Sequence, residues 1–343
     1  MKKLSKLIAI SLCILMMTVL FTGCSKKEQE QINFFNYGEN IDDETIKEFE
    51  KTYNIKVNME TFDDMEAMYQ KINSGAGKYD VVLVSDALMP RMIEKGLVQK
   101  LNKDNIPNIS QMDKQYLDLD IDPGNQYSVP YMFGTVGLIY NKDVVKEKVD
   151  SWDILWDEKY KDQIFMFDTY RDTIGVALKK LGYSLNSTNK DEINEAKELL
   201  LKQRKLVNPI YGVDNGTTMI PAGETNINMI WSGEGLNLQA EYPNLVYIVP
   251  KEGANFWIDS LCITSNAKNV DGAEKFINFV SDKKSALRIA DEIGYTTPNK
   301  EARLEQPKEV QDNPNAYMTK EIMNRCEIYK DFDLKTKQMY EKR

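Results

Sequence analysis

SVPYMFGTVGLIYN, residues 128–141, is an apolar run rich in aromatic and β-branched side chains and interrupted by Gly134 and Gly137. Such a run reads as extended chain. What precedes it alternates strand and helix. INFFNY (32–37) reads as a strand, 43–53 as a helix with Ile46, Phe49 and Tyr53 on one face, and 55–61 as a second, alternating strand. Residues 65–74 form a short helix closed by Gly75 and Gly77, and VVLV (81–84) is the continuous apolar run of a parallel strand covered on both faces. The order βαβαβ predicts an open α/β sheet. Ligands of such sheets sit beyond the carboxyl ends of strands, which directs attention to Tyr37-Gly38 and Ser85-Asp86.

After residue 141 a new block begins, with Trp152 and Trp156 at helical spacing as core residues. It has a strand at 164–167, helices near 173–181 and 191–202, and strands at 227–231 and 246–249. A second extended run, 256–264, follows. The chain then forms helices at 270–280 and 284–293 and a turn at Gly294-Tyr295-Thr296-Thr297-Pro298. Two extended segments bracketing an inserted α/β lobe predict a two-domain hinge protein that bends near 134–140 and 256–260. A length of 343 residues agrees, being too great for one compact core.

Composition narrows the chemistry. There are 44 Lys and Arg against 53 Asp and Glu, a formal charge of −9, and no histidine. Without imidazole there is no Ser-His-Asp or Cys-His nucleophile, no HExxH zinc site and no histidine proton shuttle. No metal or cofactor is expected. The acidic balance disfavours nucleic acid, which needs a basic face, and favours cationic small molecules.

The N-terminus reads as a targeting segment. Lys2, Lys3 and Lys6 precede an apolar stretch, 7–21, too short to cross a membrane comfortably. Phe21-Thr22-Gly23-Cys24 resembles the lipobox at which bacterial lipoproteins are cleaved and their new N-terminal Cys diacylated. Phe21 holds the place usually given to Leu. Residues 1–23 are thus a signal peptide, Cys24 the lipid attachment, and 24–31 a polar tether. Loss of three lysines and no acid moves the formal charge from −9 to −12. Cys262, in an apolar run, reads as buried and inert, and Cys326 as lying on a helix face, with no disulfide expected between them.

Several stretches together carry a resemblance: YSVPYMFGTVGLIYN (127–141), SWDILWDEKYKDQI (151–164), NMIWSGEG (228–235), PKEGANFWIDSL (250–261) and IGYTTPN (293–299). The sequence from Ile32 to about Asp331 resembles the polyamine-binding proteins, the spermidine/putrescine receptors, of bacterial ABC importers. The resemblance implies an α/β, two-lobe periplasmic-binding-protein fold of type II, with a ligand cleft between lobes joined by crossover segments, and no catalysis. The lobes would be 32–138 with 256–304 and 139–255 with 305–343. A monomer is expected, handing its ligand to a permease from the outer face of a single-membrane cell, or from the periplasmic side where there are two membranes.

The family's contacting Trp, Trp and Asp fall at Trp231, Trp257 and Asp259, its tyrosine at Tyr295, a serine at Ser85 and an acid at Asp172; Tyr37 stands where a contacting Trp is usual. Gly38, Asn40 and Ala87 depart from the pattern, and Thr169 occupies the place of an acid, for which Asp86 and Asp168 are neighbouring substitutes. Tyr329 holds the place of a contacting Gln. The residue types suit the ligand independently of the resemblance. A polyamine is a methylene chain bearing ammonium groups, so it wants aromatic walls, with a cation–π contribution of roughly 0.5–2 kcal/mol, and carboxylates to meet the amines.

Plainer readings compete at several positions. Tyr37, Trp231 and Trp257 could be core aromatics, and Asp172 could pair internally with Arg171. Asp118-Leu119-Asp120-Ile121-Asp122 alternates like calcium ligands but lacks the Gly and closing Glu of an EF-hand, so a solvated turn is expected. Asp172 and Asp259 could alternatively serve a secreted glycoside-processing enzyme, or the same fold could hold another small solute.

Overall fold

The computed structural model describes residues 29–341 except Glu39 and Asp214, so the signal peptide and Cys24 lie outside the described residues. Strands β1 (Gln31–Tyr37), β2 (Lys56–Phe62), β3 (Val81–Ser85), β4 (Ser128–Asn141), β5 (Ile164–Phe167), β6 (Ile210–Gly212), β7 (Ile227–Trp231), β8 (Leu245–Ile248) and β9 (Phe256–Ile263) form one curled sheet. Its order is β2-β1-β3-β9-β4-β7-β5-β6, with β8 also on β4. β1 pairs parallel with β2 and β3, as the βαβαβ order predicts. On the far side β5 is parallel to β6 and β7.

The crossing is made by β4. It pairs antiparallel with β9 over 128–135 and with β7 over 136–140, so it changes partner between Thr135 and Val136. Its glycines have packing roles. A Cβ on Gly134 would fall 2.5 Å from Trp257 Cζ2, and one on Gly137 would fall 2.5 Å from the Ile248 carbonyl oxygen.

Helices α1 (Asp43–Tyr53), α2 (Met65–Asn73) and α3 (Met89–Glu94) flank the first half of the sheet, and α4 (Tyr170–Lys180), α5 (Lys190–Val207) and α6 (Ser232–Glu241) the second. Helices α7 (Val270–Val280) and α8 (Lys283–Ile293) return to the first half, and α9 (Leu334–Glu341) ends the described chain. Starts of α1 and α2 are fixed by Asp42 and Asp64, whose carboxylates accept from the N–H groups of Thr45 and Ala67. The run VVLV behaves as its pattern requires. Val81 and Leu83 pack with Phe34, Phe49, Phe276 and Ile277 on one face, and Val82 and Val84 with Met68, Met89 and Met92 on the other. A third core surrounds β4, β5 and β7. There Trp152 is fully buried and donates its Nε1–H to the Gly253 carbonyl at 2.8 Å.

Several expectations are corrected. α4 begins at Tyr170, three residues early, and α5 runs on to Val207, where Asn208 in the left-handed region at φ 46° ends it. The acidic turn is not solvated throughout. Asp122 is 2% exposed and accepts from Gln126 N, Tyr127 N and Ser128 Oγ, so it organises the turn before β4. Cys262 and Cys326 are both free thiols, and Cys326 follows a short helix (Lys320–Arg325) rather than sitting within one. Among the described residues no helix is long and apolar enough to cross a membrane, and no cluster of acids and cysteines could hold a metal ion.

Candidate ligand-binding cleft

Strand direction positions the site. β1 and β3 run toward the crossing from one side and β5 and β7 from the other, so their carboxyl ends meet at the middle of β4. Ser85, the last residue of β3, lies opposite Asp259 on β9, and Asp259 lies opposite Met132 on β4. Two positions along, Trp257 pairs with Gly134, and two further, Trp231 pairs with Val136. Thus Ser85, Asp259, Trp257 and Trp231 mark successive levels of one crossing, although the chain brings them from three distant segments. Ser232, just after β7, holds the junction by accepting the Thr135 N–H at 3.1 Å.

The aromatic residues form a partly open wall. Trp257 meets Tyr295 edge-on with ring centres 5.3 Å apart, and Trp231 lies 4.4 Å from Phe167. Both tryptophans are partly buried, unlike Trp152. Tyr37 is 36% exposed at the end of β1, packs against Phe62, and is near enough to Tyr295 to influence its hydroxyl. Tyr295 lies over Gly233, where a Cβ would approach its ring to 2.4 Å, and donates its hydroxyl to Glu234 Oε1 at 2.7 Å.

The carboxylates divide into two kinds. Asp259 is 8% exposed, and burial pushes its pKa up to about 7. Among the described residues it has neither an ion pair nor a hydrogen bond to its carboxylate. Asp86 is more deeply buried. Its Oδ1 accepts the Ala87 N–H at 2.7 Å while Oδ2 has no partner among the described residues. Burial first, and then the charge of Asp259, push its pKa well above the usual range. A pair of buried carboxylates without a cation is costly unless protonated or met by one.

Asp172 is different. In the first turn of α4, its Oδ2 accepts from Thr169 Oγ1 at 2.5 Å and its Oδ1 from the Tyr329 hydroxyl at 2.9 Å, both supporting the anion while burial raises its pKa. The Asp172–Arg171 ion pair considered above does not form. Instead Arg171 stacks on Phe332 and Tyr329, at 3.8 and 4.3 Å from the ring centres, and donates to Asn186 Oδ1. Thr169 therefore serves Asp172, and Asp168, the other candidate substitute for the missing acid, is exposed.

Sequence reasoning passed over Glu234, and weighed Arg171 only as an ion-pair partner of Asp172. The strand-end rule would have reached Glu234, which stands in the first turn of the helix immediately after β7. Nothing in sequence indicated that Arg171 meets aromatic rings, because those partners arrive from residues 329–340.

Two half-sheets sharing one crossing strand, with opposed strand ends lining a cleft, define a two-lobe solute-binding protein of the periplasmic-binding-protein class. The chain belongs to the bacterial extracellular solute-binding protein family, whose model matches residues 44–319. It is 35% identical over 306 residues to a spermidine/putrescine-binding periplasmic protein of Salmonella typhimurium, spanning 89% of this chain and 88% of that one. It is 31% identical over 305 residues to a putrescine/cadaverine-binding protein of Pseudomonas aeruginosa, spanning 83% and 84%. Among solved structures, it superposes with a TM-score of 0.84 on a spermidine/putrescine ABC transporter substrate-binding protein from Streptococcus pneumoniae, at 35% identity over 91% of this chain and 96% of the other. A lipoprotein of Treponema pallidum superposes at 0.80, with 25% identity over 91% and 97%.

Proposed function

We propose that this protein is an extracytoplasmic receptor that traps a polyamine, spermidine or putrescine, between its lobes and delivers it to an ABC permease without altering it. The observation that carries this reading is Asp259, a buried carboxylate with no protein cation, set at the crossing with Trp257 and Tyr295 beside it. An ammonium group supplies the missing charge and the rings hold the methylenes. Ser85, Asp86, Tyr37 and Trp231 complete the contact set, with Thr169 and Asp172 at the opposite wall. The relatives named for spermidine, putrescine and cadaverine support the same ligand class.

In this reading, residues 32–138 with 256–304 form one lobe and 139–255 with 305–343 the other, and a monomer closes by bending where β4 changes partner and along β9. Calorimetric titration with putrescine, cadaverine, spermidine and spermine tests the ligand, and small-angle scattering of the same samples tests closure. Saturable binding of at least one polyamine with a more compact particle is expected. Heat no greater than dilution for all four sinks the reading, and binding at an unchanged radius sinks the closure.

Cys24 is the proposed lipid attachment, which would hold the receptor beside its transporter in a cell without an outer membrane. A Cys24→Ala variant is expected to appear in the culture medium while the wild type stays with the membrane fraction. Retention of the variant at wild-type levels would refute the anchor.

A further inference from the structure

A ring of four alternating charges joins elements from the two halves of the molecule. Arg91, on α3 after β3, donates from Nε to Asp331 Oδ2 at 2.6 Å and from Nη2 to Asp331 Oδ1, and its Nη1 lies 2.9 Å from both oxygens of Glu66 on α2. Lys337, on α9, lies 3.3 Å from Asp331 and 3.8 Å from the same Glu66. Arg91 is held flat by Tyr69, its guanidinium 4.7 Å from that ring centre, and its side chain is only 15% exposed.

The ring joins the two halves of the molecule. Glu66 and Arg91 are fixed to the half built on β1 and β3. Asp331 and Lys337 lie on a terminal segment tied to the other half, where Asn186 Nδ2 donates to the Ile328 carbonyl at 2.8 Å, Lys179 pairs with Glu327 at 3.0 Å, and the Tyr340 hydroxyl donates to the Ser187 carbonyl at 2.9 Å. The four side chains of the ring line an open cavity of about 180 Å³ together with Ser85, Ala87, Arg171 and Tyr329. The ring is thus part of the wall of a space that Ser85, at the end of β3, also lines.

We infer that Glu66, Arg91, Asp331 and Lys337 form a reversible ionic latch that keeps the lobes closed over the ligand and sets the rate at which it leaves. Two contacts cross the cleft, Arg91 with Asp331 and Lys337 with Glu66. The other two, Arg91 with Glu66 and Lys337 with Asp331, each lie within one half. Opening thus breaks the crossing pairs but leaves each half with an internally neutral pair, so no charge is stranded. A latch of this kind stabilises closure without making opening prohibitive. The planar, two-pronged fit of the guanidinium to Asp331 makes that contact the stronger of the two that cross. The inference rests on the proposed polyamine-receptor reading, because release of a bound solute is what the latch controls.

The test measures putrescine dissociation by stopped-flow tryptophan fluorescence in the wild type, Arg91→Gln, Asp331→Asn and the double variant. Each single change is expected to speed dissociation about tenfold, a partly exposed charged pair being worth about that. The double variant should be no faster than either single. Raising salt should accelerate release from the wild type but hardly from the double variant. The ratio of putrescine to spermidine affinity should stay constant, since the latch does not touch the ligand. Release within twofold of wild type in Asp331→Asn, which keeps side-chain shape if Arg91→Gln fails to fold, overturns the latch while binding itself stands. A changed affinity ratio, or multiplying effects in the double variant, also overturns it. A wild type that binds no polyamine overturns the receptor reading and the latch together.

Discussion

Asp259→Asn is expected to weaken putrescine binding by roughly 2–5 kcal/mol, the cost of removing one partner of a buried charge pair, while leaving the ligand-free protein at least as stable as the wild type. The two effects have opposite signs for one reason. Asp259 is buried with no cation from the protein, so its charge is favourable only when an ammonium arrives. The pH dependence follows. The folded carboxyl ionises at about 7 against an ordinary 3.8, so the folded chain holds a proton that the unfolded chain has already lost. Stability from this group is full below about pH 4 and is lost as pH climbs to about 7, because there the native state binds more protons than the unfolded one. The asparagine variant escapes that loss. Its melting temperature without ligand should equal or exceed the wild type's at pH 8, and the difference should shrink at pH 5. With saturating putrescine the wild type should gain several degrees and the variant little. A variant that melts lower without ligand at both pH values, yet keeps the full ligand-induced rise, would make Asp259 a structural residue.

Gly134→Val should disable the site from the neighbouring strand. Any Cβ at Gly134 would lie 2.5 Å from both Trp257 Cζ2 and Ser232 Oγ. Neither neighbour can yield freely. Trp257 is braced edge-on by Tyr295, and Ser232 accepts the Thr135 N–H. The expected cost in folding stability is about 1–3 kcal/mol, the usual range for overpacking, with a loss of affinity of at least tenfold as the Trp257 ring is displaced. Denaturant titration and calorimetry together read both. If affinity is untouched while stability falls, the Trp257 ring is not part of the binding surface. If neither changes, the close approach at Gly134 has no energetic meaning.

How far the sequence discloses this molecule depends on the distance over which each signal acts. β4, β7 and α7 are found at their expected bounds, because period and length are local properties of 128–141, 227–231 and 270–280. VVLV signals a doubly covered strand for the same reason. The placement of Ser85, Trp231, Trp257 and Asp259 at the crossing follows from strand ends together with the resemblance. What each carboxylate does there is not local. Nothing near Asp172 indicates that a tyrosine 157 positions away caps it. Nor does anything near Arg171 indicate that its company is aromatic rather than acidic. The terminal segment 305–341 carries weak patterning in short pieces, and its role emerges only where Tyr329, Asp331 and Lys337 meet groups from earlier in the chain.

The position of β9 has a consequence for how the chain acquires its structure. It sits between β3 and β4, yet follows both in sequence, separated from β4 by the whole of the second half-sheet. Synthesis from the N-terminus therefore delivers β1, β2, β3 and β4 long before the strand that joins β3 to β4 exists. Until residues 256–263 emerge, the first half has an unpaired edge along Val81–Ser85 and cannot assemble the core that Leu261 and Ile263 help to fill. Closing so long a loop is slow, and acquisition of the native state becomes a late, nearly all-or-none event. A polypeptide that stays uncommitted until its last quarter is available also stays threadable, a property suited to passage through a narrow channel as an extended strand before any compact body forms.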